Sequence, residues 1–191
     1  MAVEKKKLED IVIDGASCYL TSSPITDPST DLTTIENDYL GTAKSSVTVS
    51  AKPTIREIEH LGKKERKTKY DERITGWEVS AEADILDLNA KTLEASLFVK
   101  DTGGTAPTKH DRYIPKVDLS TSDYKQLVIV GQMRKTGDNV VVVVKNTYNS
   151  DGLSIETKDN DESSTNMVFN GHYEEGSEVP PFEIYIVKPS V

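Results

Sequence analysis

The stretch "GWEVSAEADILDL", residues 76 to 88, alternates apolar and polar side chains from residue 77 to residue 85. Successive side chains of a β-strand point to opposite faces of its sheet, so this spacing predicts a strand with one apolar face. The opposite face then carries Glu78, Glu82 and Asp84. Like charges on one face repel each other, which is unfavourable. A row of carboxylates therefore indicates a functional surface.

Similar runs recur along the chain. Each is rich in β-branched or aromatic residues and is bounded by Gly, Pro, Asn or Asp. They lie at residues 10–20, 46–51, 54–61, 76–86, 125–133, 139–149, 153–158, 165–173 and 182–187. The sequences "KTGDN" (135–139) and "NSDG" (149–152) supply the residues that hairpin turns require. The pattern predicts a mainly β fold, a β-sandwich of two antiparallel sheets.

One segment has helical spacing instead. In "LDLNAKTLEASLFV", Asn89 is a good helix N-cap, and Leu86, Ala90, Leu93, Leu97 and Phe98 recur at helical intervals. We predict one short helix at about residues 90–98, packed on a sheet because it is too short to be stable alone.

Length and charge limit the possible functions. The 191 residues suit one domain, with an N-terminal arm at 1–9 and a C-terminal strand and tail at 180–191. The net charge of −9 argues against a surface that binds nucleic acid. The last fifth is strongly acidic, with Asp151, Glu156, Asp159, Asp161, Glu162, Glu174, Glu175, Glu178 and Glu183 against Lys158 and Lys188.

The sequence offers little for catalysis or metal binding. The single cysteine, Cys18, has no disulfide partner, and the three histidines have no metal-ligand spacing or triad pattern. "DTGGTAPT" (101–108) contains the tripeptide Asp-Thr-Gly of an aspartic-protease loop, but the match is isolated. "KDNDESS" resembles the start of a calcium loop, but the Gly at the sixth loop position and the closing Glu are missing. We expect no catalytic, cofactor or metal site. The single cysteine favours folding in a reducing cytoplasm. Residues 1–10 have no apolar region of signal-peptide length and no later run reaches membrane length, so we expect neither a signal peptide nor a membrane helix.

Two regions are predicted to project from the core. Residues 62–75 form a long basic loop between two strands, with Lys63, Lys64, Arg66, Lys67, Lys69 and Arg73. Residues 21–45 are polar and interrupted by proline. Charged runs are usually solvated faces, so the loop is either a docking element or a solvated hairpin.

The strand before the basic loop extends the acidic pattern. In "TIREIEHL", Glu57 and Glu59 share one side with Ile55. We therefore predict that two neighbouring strands place carboxylates on one exposed face. An ordinary solvated strand face is the alternative interpretation.

The order of these segments resembles the major tail tube protein of long-tailed bacteriophages. The resemblance rests on "TIREIE", the basic loop, "ITGWEVSAEADILDLNAKTLEASLF", "GLSIETKDN" and "FNGHYEEGSEVPPFEIYIV", and it spans about residues 10–187. It implies a β-sandwich with a flanking helix, six copies of which close their inner sheets into a ring-wide barrel. Stacked rings would then form a tube for genome delivery.

The resemblance also implies roles for the charged residues. Glu57, Glu59, Glu78, Glu82 and Asp84 would line the lumen and repel the phosphates of DNA, which passes without specific binding. The basic loop would meet the neighbouring ring at Glu174, Glu175 and Glu178 or at residues 159–162. Expected partners are further copies, a tape measure protein, and tail terminator and baseplate or distal tail proteins, in a virion assembled in the host cytoplasm without membrane contact.

Two other classes remain open. A carbohydrate-binding or adhesin-like β-sandwich would need exposed aromatic platforms, whereas Trp77 falls on the apolar side of its strand. A hydrolase on a β-sandwich would need clustered acids or a triad, and the sequence shows neither.

Overall fold

The computed structural model describes residues 13–57, 71–102, 109–133, 138–156 and 164–186. The strands are β1 (Ile13–Thr21), β2 (Tyr39–Glu57), β3 (Glu72–Ile85), β4 (Phe98–Lys100), β5 (Tyr113–Pro115), β6 (Lys125–Met133), β7 (Asn139–Thr147), β8 (Ile155–Glu156), β9 (Ser164–Asn170) and β10 (Phe182–Ile186). The helices are α1 (Pro28–Thr34) and α2 (Ala90–Ala95), with 3-10 turns at Glu36–Asp38 and Thr121–Asp123. The predicted mainly β fold is confirmed.

Eight strands form one antiparallel sheet in the order β10-β7-β6-β1-β2-β3-β9-β8, and β4 and β5 form a separate pair. The large sheet folds back at β1 and β2, so that its two halves face each other. Their shared core holds Cys18, Leu20, Leu40, Val79, Ala81, Ala83, Ile85, Leu127, Ile129, Val144, Met167 and Phe169, with Ala95 of α2. The predicted sandwich is therefore present, and its two layers are halves of one continuous sheet.

A second apolar layer covers the outer face of the β10-β7-β6-β1 half. Ile25 and Ile35, which flank α1, are 3% and 1% exposed and pack with Val128, Val141 and Val143. Because both faces of β7 are covered, its sequence is an unbroken run of valines. The prediction that residues 21–45 project is wrong for this segment, since a few widely spaced apolar residues anchor it to the sheet.

Helix α2 begins as predicted and ends earlier. Asn89 caps it: its side chain accepts from the Thr92 amide at 3.0 Å, while the Thr92 hydroxyl accepts from the Asn89 amide at 2.9 Å. The helix ends at Ala95 rather than at residue 98, because Leu97 adopts a left-handed conformation with φ 64 and Phe98 begins β4. Thr92 and Ala95 are its buried residues, whereas the predicted leucine stripe is only partly buried.

Several predicted connections differ from the structure. The run at 46–51 and residues 54–57 of the run at 54–61 belong to one strand, β2, which continues through Pro53; the rest of the second run lies outside the described residues. "NSDG" is not a hairpin, because β7 pairs with β6 and β10 while β8 pairs with β9. The chain crosses there between the two halves of the sandwich. The pairs β6–β7 and β4–β5 are antiparallel, and the short strands β4 and β5 were not predicted.

Candidate functional site: the outer face of β2, β3 and β9

Strand β3 separates an apolar face from an acidic one as its sequence predicts. Val79, Ala81, Ala83 and Ile85 are each at most 4% exposed and belong to the core. The intervening side chains of Glu78, Glu82 and Asp84 therefore point away from the core, and those of Glu78 and Glu82 are exposed. Three of the predicted lumen candidates thus share one outer face.

The neighbouring strands extend this face with mostly polar side chains. Directly paired residues of a sheet have side chains on the same face. Lys52 of β2 is opposite Glu78, and Thr48 is opposite Glu82. On the other side, Asn166 of β9 is opposite Asp84. Over these rungs three carboxylates face one lysine, so the surface keeps negative charge.

Asn166 is a member of this surface that sequence reasoning missed. Its Nδ2 donates to Oε1 of Glu82 and to Oδ1 of Asp84, each at 3.1 Å. The amide therefore holds two carboxylates of β3 side by side without adding a positive charge. The alternation of "TNMVFN", with Met167 and Phe169 in the core, would have placed Asn166 on the outer face.

Glu57 does not belong to the acidic face. It pairs with Glu72, and along β2 it alternates in step with Pro53 and Ile55 rather than with Lys52. It therefore lies on the other face of the β2–β3 pair, and the prediction that it joins Glu78 on one face is wrong. The outer residues of β2 are Lys52, Thr54 and Arg56, and only the pairing of β2 with β3 reveals this. Glu59 lies outside the described residues.

The basic loop is described only at its end. Arg73 lies within β3, where it pairs with Arg56 of β2. Both arginines are exposed. Lys63, Lys64, Arg66, Lys67 and Lys69 lie outside the described residues. The described end of the predicted loop, from Glu72, is thus part of strand β3. The antiparallel pair of β2 and β3, called the β2–β3 ribbon below, therefore extends further than the sequence pattern indicated.

The ribbon runs beyond the sandwich core. A register shift follows the Thr54–Gly76 rung, so that Thr75 is an extra residue, and Ile55 pairs with Ile74 beyond it. Ile55 and Ile74 are 52% and 55% exposed. Their positions on the core-facing side, combined with this exposure, mean that none of the described residues forms a layer over the ribbon there.

A cleft of about 600 Å³ lies between the ribbon and an acidic turn at 172–178. Arg73 and Trp77 line one side, and Tyr173, Glu178 and Pro180 line the other. The backbone amide of Trp77 donates to the hydroxyl of Tyr173 at 2.7 Å. The side chain of Trp77 is partly buried and packs against the core, so it is not an exposed platform for a sugar ring.

A second cleft, of about 480 Å³, contains an ion pair. The Lys145 Nζ contacts Oε1 of Glu183, and the hydroxyl of Tyr185 donates to Oε2 of Glu183 at 2.6 Å. Burial raises the pKa of Glu183, but the hydrogen bonds from Lys145 and Tyr185 outweigh burial and hold it below its ordinary value. The bond to Glu183 raises the pKa of Tyr185 to about 12. The three groups form a structural unit that ties β10 to β7.

The histidines, which are the residues considered for catalysis, form no catalytic cluster in the part of the chain that is described. His110 is exposed, His60 lies outside the described ranges, and His172 stacks on Tyr148 while its Nδ1 contacts the carbonyl oxygen of Asn146 at 2.8 Å. Within the described residues no cluster of three His, Cys, Asp or Glu side chains could hold a metal ion. None of the helices described is long and apolar enough to cross a membrane.

Comparison with known proteins assigns no family. No family model matches the chain, and no curated protein matches it.

Proposed function

We propose that the chain is the self-assembling subunit of a phage tail tube, in which six copies form a ring and stacked rings form a conduit for DNA. The observation that carries this proposal is the outer face of β2, β3 and β9. It combines a reverse side that is buried along β3 from Val79 to Ile85 with an outward row of carboxylates. A row of exposed carboxylates suits the wall of a channel through which DNA, a polyanion, passes without binding.

The charge of a channel wall decides whether DNA binds to it. Double-stranded DNA carries one negative charge for about every 1.7 Å of its axis, and basic groups bind it by releasing its counterions. The rungs with Glu78, Glu82 and Asp84 against Lys52 have the opposite tendency, whereas Arg56 and Arg73 lie on the same face further along the ribbon. Repeated around a ring, these carboxylate rungs would repel the duplex and leave it free to slide.

The ribbon supplies the proposed contact between rings. It carries the exposed rung Ile55–Ile74 on one face and the exposed arginines Arg56 and Arg73 on the other. An acidic surface of a neighbouring copy, such as Glu174, Glu175 and Glu178, suits the arginines. The further partners of this proposal are a tape measure protein inside the tube, and tail terminator and baseplate or distal tail proteins at its ends.

Negative-stain electron microscopy of the purified chain tests this function. We expect rings with a central channel and tubes of stacked rings, with the fraction in tubes rising with protein concentration. A chain that stays monomeric or dimeric at every concentration, including under crowding conditions, would contradict the proposal. Glycan-array binding by such a non-assembling chain would favour the adhesin-like alternative instead.

A further inference from the structure

Strand β10 is the last strand at one end of the eight-stranded sheet, and its outer edge is open with respect to the described residues. Among the described residues it pairs with β7 alone. The Lys145 amide donates to the carbonyl oxygen of Pro181 at 2.9 Å. Because backbone groups alternate in an antiparallel pair, Glu183 and Tyr185 also direct theirs toward β7, whereas Ile184 and Ile186 direct theirs toward the open edge.

The side chains of this edge are apolar on the core-facing side. Phe182 packs against the main core, and Ile184 and Ile186 continue its face. They are nevertheless 54% and 59% exposed. A strand edge with exposed isoleucines is a ready template for pairing with another chain.

The opposite end of the sheet is better protected. Strand β8 has only two residues, and the edge of β9 beyond it is occupied. The Val168 carbonyl accepts from the Ser150 amide at 2.8 Å, and the Val168 amide donates to Oδ1 of Asn149 at 3.1 Å. The two ends of the sheet therefore differ, and among the described residues nothing pairs with the outer edge of β10.

The sequence of β10 is complementary to itself about Ile184. An antiparallel copy centred there brings Ile184 against Ile184 and Phe182 against Ile186, so every rung on the core-facing side is apolar. On the other face Glu183 meets Tyr185 of the second copy, so no two carboxylates oppose each other. A charge repeated across a two-fold axis would be destabilising, and this strand avoids it.

We propose that two copies of this chain pair through β10 in solution, antiparallel and about a two-fold axis at Ile184. Two-fold dimers are the commonest assemblies of identical subunits. A contact limited to five-residue strands is small, so the dimer forms and dissociates readily. The inference goes beyond the proposed function and does not depend on it, since β10 lies in the half of the sandwich that faces away from the acidic surface.

Symmetric disulfide formation tests this register. In the proposed dimer the two Cα atoms of residue 184 lie about 5.5 Å apart, within reach of a disulfide. The two copies of residue 186 are displaced by about 13 Å along the strands. Ile184→Cys and Ile186→Cys are thus matched, since both side chains are exposed and on the same face. Cys18 does not compete, because it is buried and burial raises its pKa to about 12.

The material is first separated by size-exclusion chromatography, so that rings or tubes do not enter the measurement. On mild oxidation we expect Ile184→Cys to give at least 10-fold more covalent dimer than Ile186→Cys. Equal yields from the two variants, or no dimer from Ile184→Cys, would overturn the proposal.

Hydrogen exchange on the unmodified chain provides a second test that needs no substitution. Raising the concentration of the same fraction should slow exchange at the amides of Ile184 and Ile186, which face the open edge. The amides of Glu183 and Tyr185 already face β7 and should not change. Unchanged exchange at Ile184 across a range that includes the highest attainable concentration would contradict pairing through β10.

Discussion

Ile55 of β2 lies directly opposite Ile74 of β3, and both side chains remain more than half exposed. An exposed apolar rung in the part of the ribbon that runs beyond the core adds nothing to the sandwich core. It leaves apolar area in water that a contact between copies would remove. In the proposed tube, this rung and the arginines behind it form the contact between rings.

Replacing both isoleucines by threonine should separate folding from stacking. Ile55→Thr with Ile74→Thr keeps β-branched side chains in a strand, and exposed positions of this kind usually change the unfolding free energy by less than about 0.5 kcal/mol. We expect unchanged urea denaturation and shorter tubes by electron microscopy. Val117→Thr, at the most exposed of the large apolar side chains described, is the control. Tubes of normal length would remove the rung from the assembly contact.

The charge of the ribbon should matter for stacking more than for folding. Arg73→Glu removes one guanidinium from the ribbon, and Lys109→Glu makes the same charge change at an exposed residue elsewhere. Exposed ion pairs contribute less than about 1 kcal/mol each, but a ring repeats them. We expect Arg73→Glu to shorten tubes and Lys109→Glu to leave them unchanged. Salt near 1 M reduces the screening length to about 3 Å and should shorten wild-type tubes as well. Equal effects of the two variants would show that net charge, not the ribbon, controls stacking.

The sign of the charge at residue 82 should control how assembled tubes treat DNA. Glu82→Lys places a cation on the outer face of β3, whereas Glu82→Gln removes the charge without reversing it. Both variants should assemble, because Glu82 is exposed and outside the core. Tubes of the lysine variant should retain duplex DNA at low salt in a co-sedimentation assay. Glutamine and wild-type tubes should not. No retention by the lysine variant would count against the lumen assignment.

Asn149 should be among the most sensitive polar residues for stability. It is fully buried, accepts from the Val168 amide, and donates from Nδ2 to the hydroxyl of Ser96 at 2.9 Å. Asn149→Ala leaves these partners unsatisfied in the core and should cost about 2–4 kcal/mol of unfolding free energy. The exposed Asn170, which bonds to Ser150, is the matched control, and Asn170→Ala should cost less than about 1 kcal/mol. Similar urea midpoints for both variants would contradict this role.

Acid should weaken the attachment of β10 to β7. The pKa of Glu183 is lower in the folded chain than its ordinary value of 4.5. Its contribution to stability is therefore present above that ordinary value and is lost as the pH falls through the folded pKa. Urea denaturation at about pH 7 and about pH 3 should show a smaller loss of stability for Glu183→Gln than for wild type. Equal losses would mean that other carboxylates account for acid sensitivity in this region.

The sequence predicted the fold where a single periodicity governs a segment. The alternation from Trp77 to Ile85 and the cap at Asn89 both operate within a few residues, and the structure confirms both. The prediction that residues 21–45 project from the core failed because the burial of this segment depends on residues distant in sequence. Ile25 and Ile35 are anchored by Val128, Val141 and Val143, more than ninety positions further along the chain.

The candidate site shows the same limit. Alternation places Glu78, Glu82 and Asp84 on one face without knowledge of their neighbours. The assignment of Glu57 required the register between β2 and β3, which places Lys52 opposite Glu78 and so puts Glu57, five residues further along β2, on the other face. Register depends on contacts between strands, and one strand's sequence does not encode it.

The most direct measurement of the central claim is an electron cryomicroscopy reconstruction of the assembled chain. The account predicts a tube in which β2, β3 and β9 line the channel, with Glu82 closer to the tube axis than Ala83, and with α1 on the outside. A tube whose acidic face of β3 points outward, or one whose channel is lined by α1, would contradict the account.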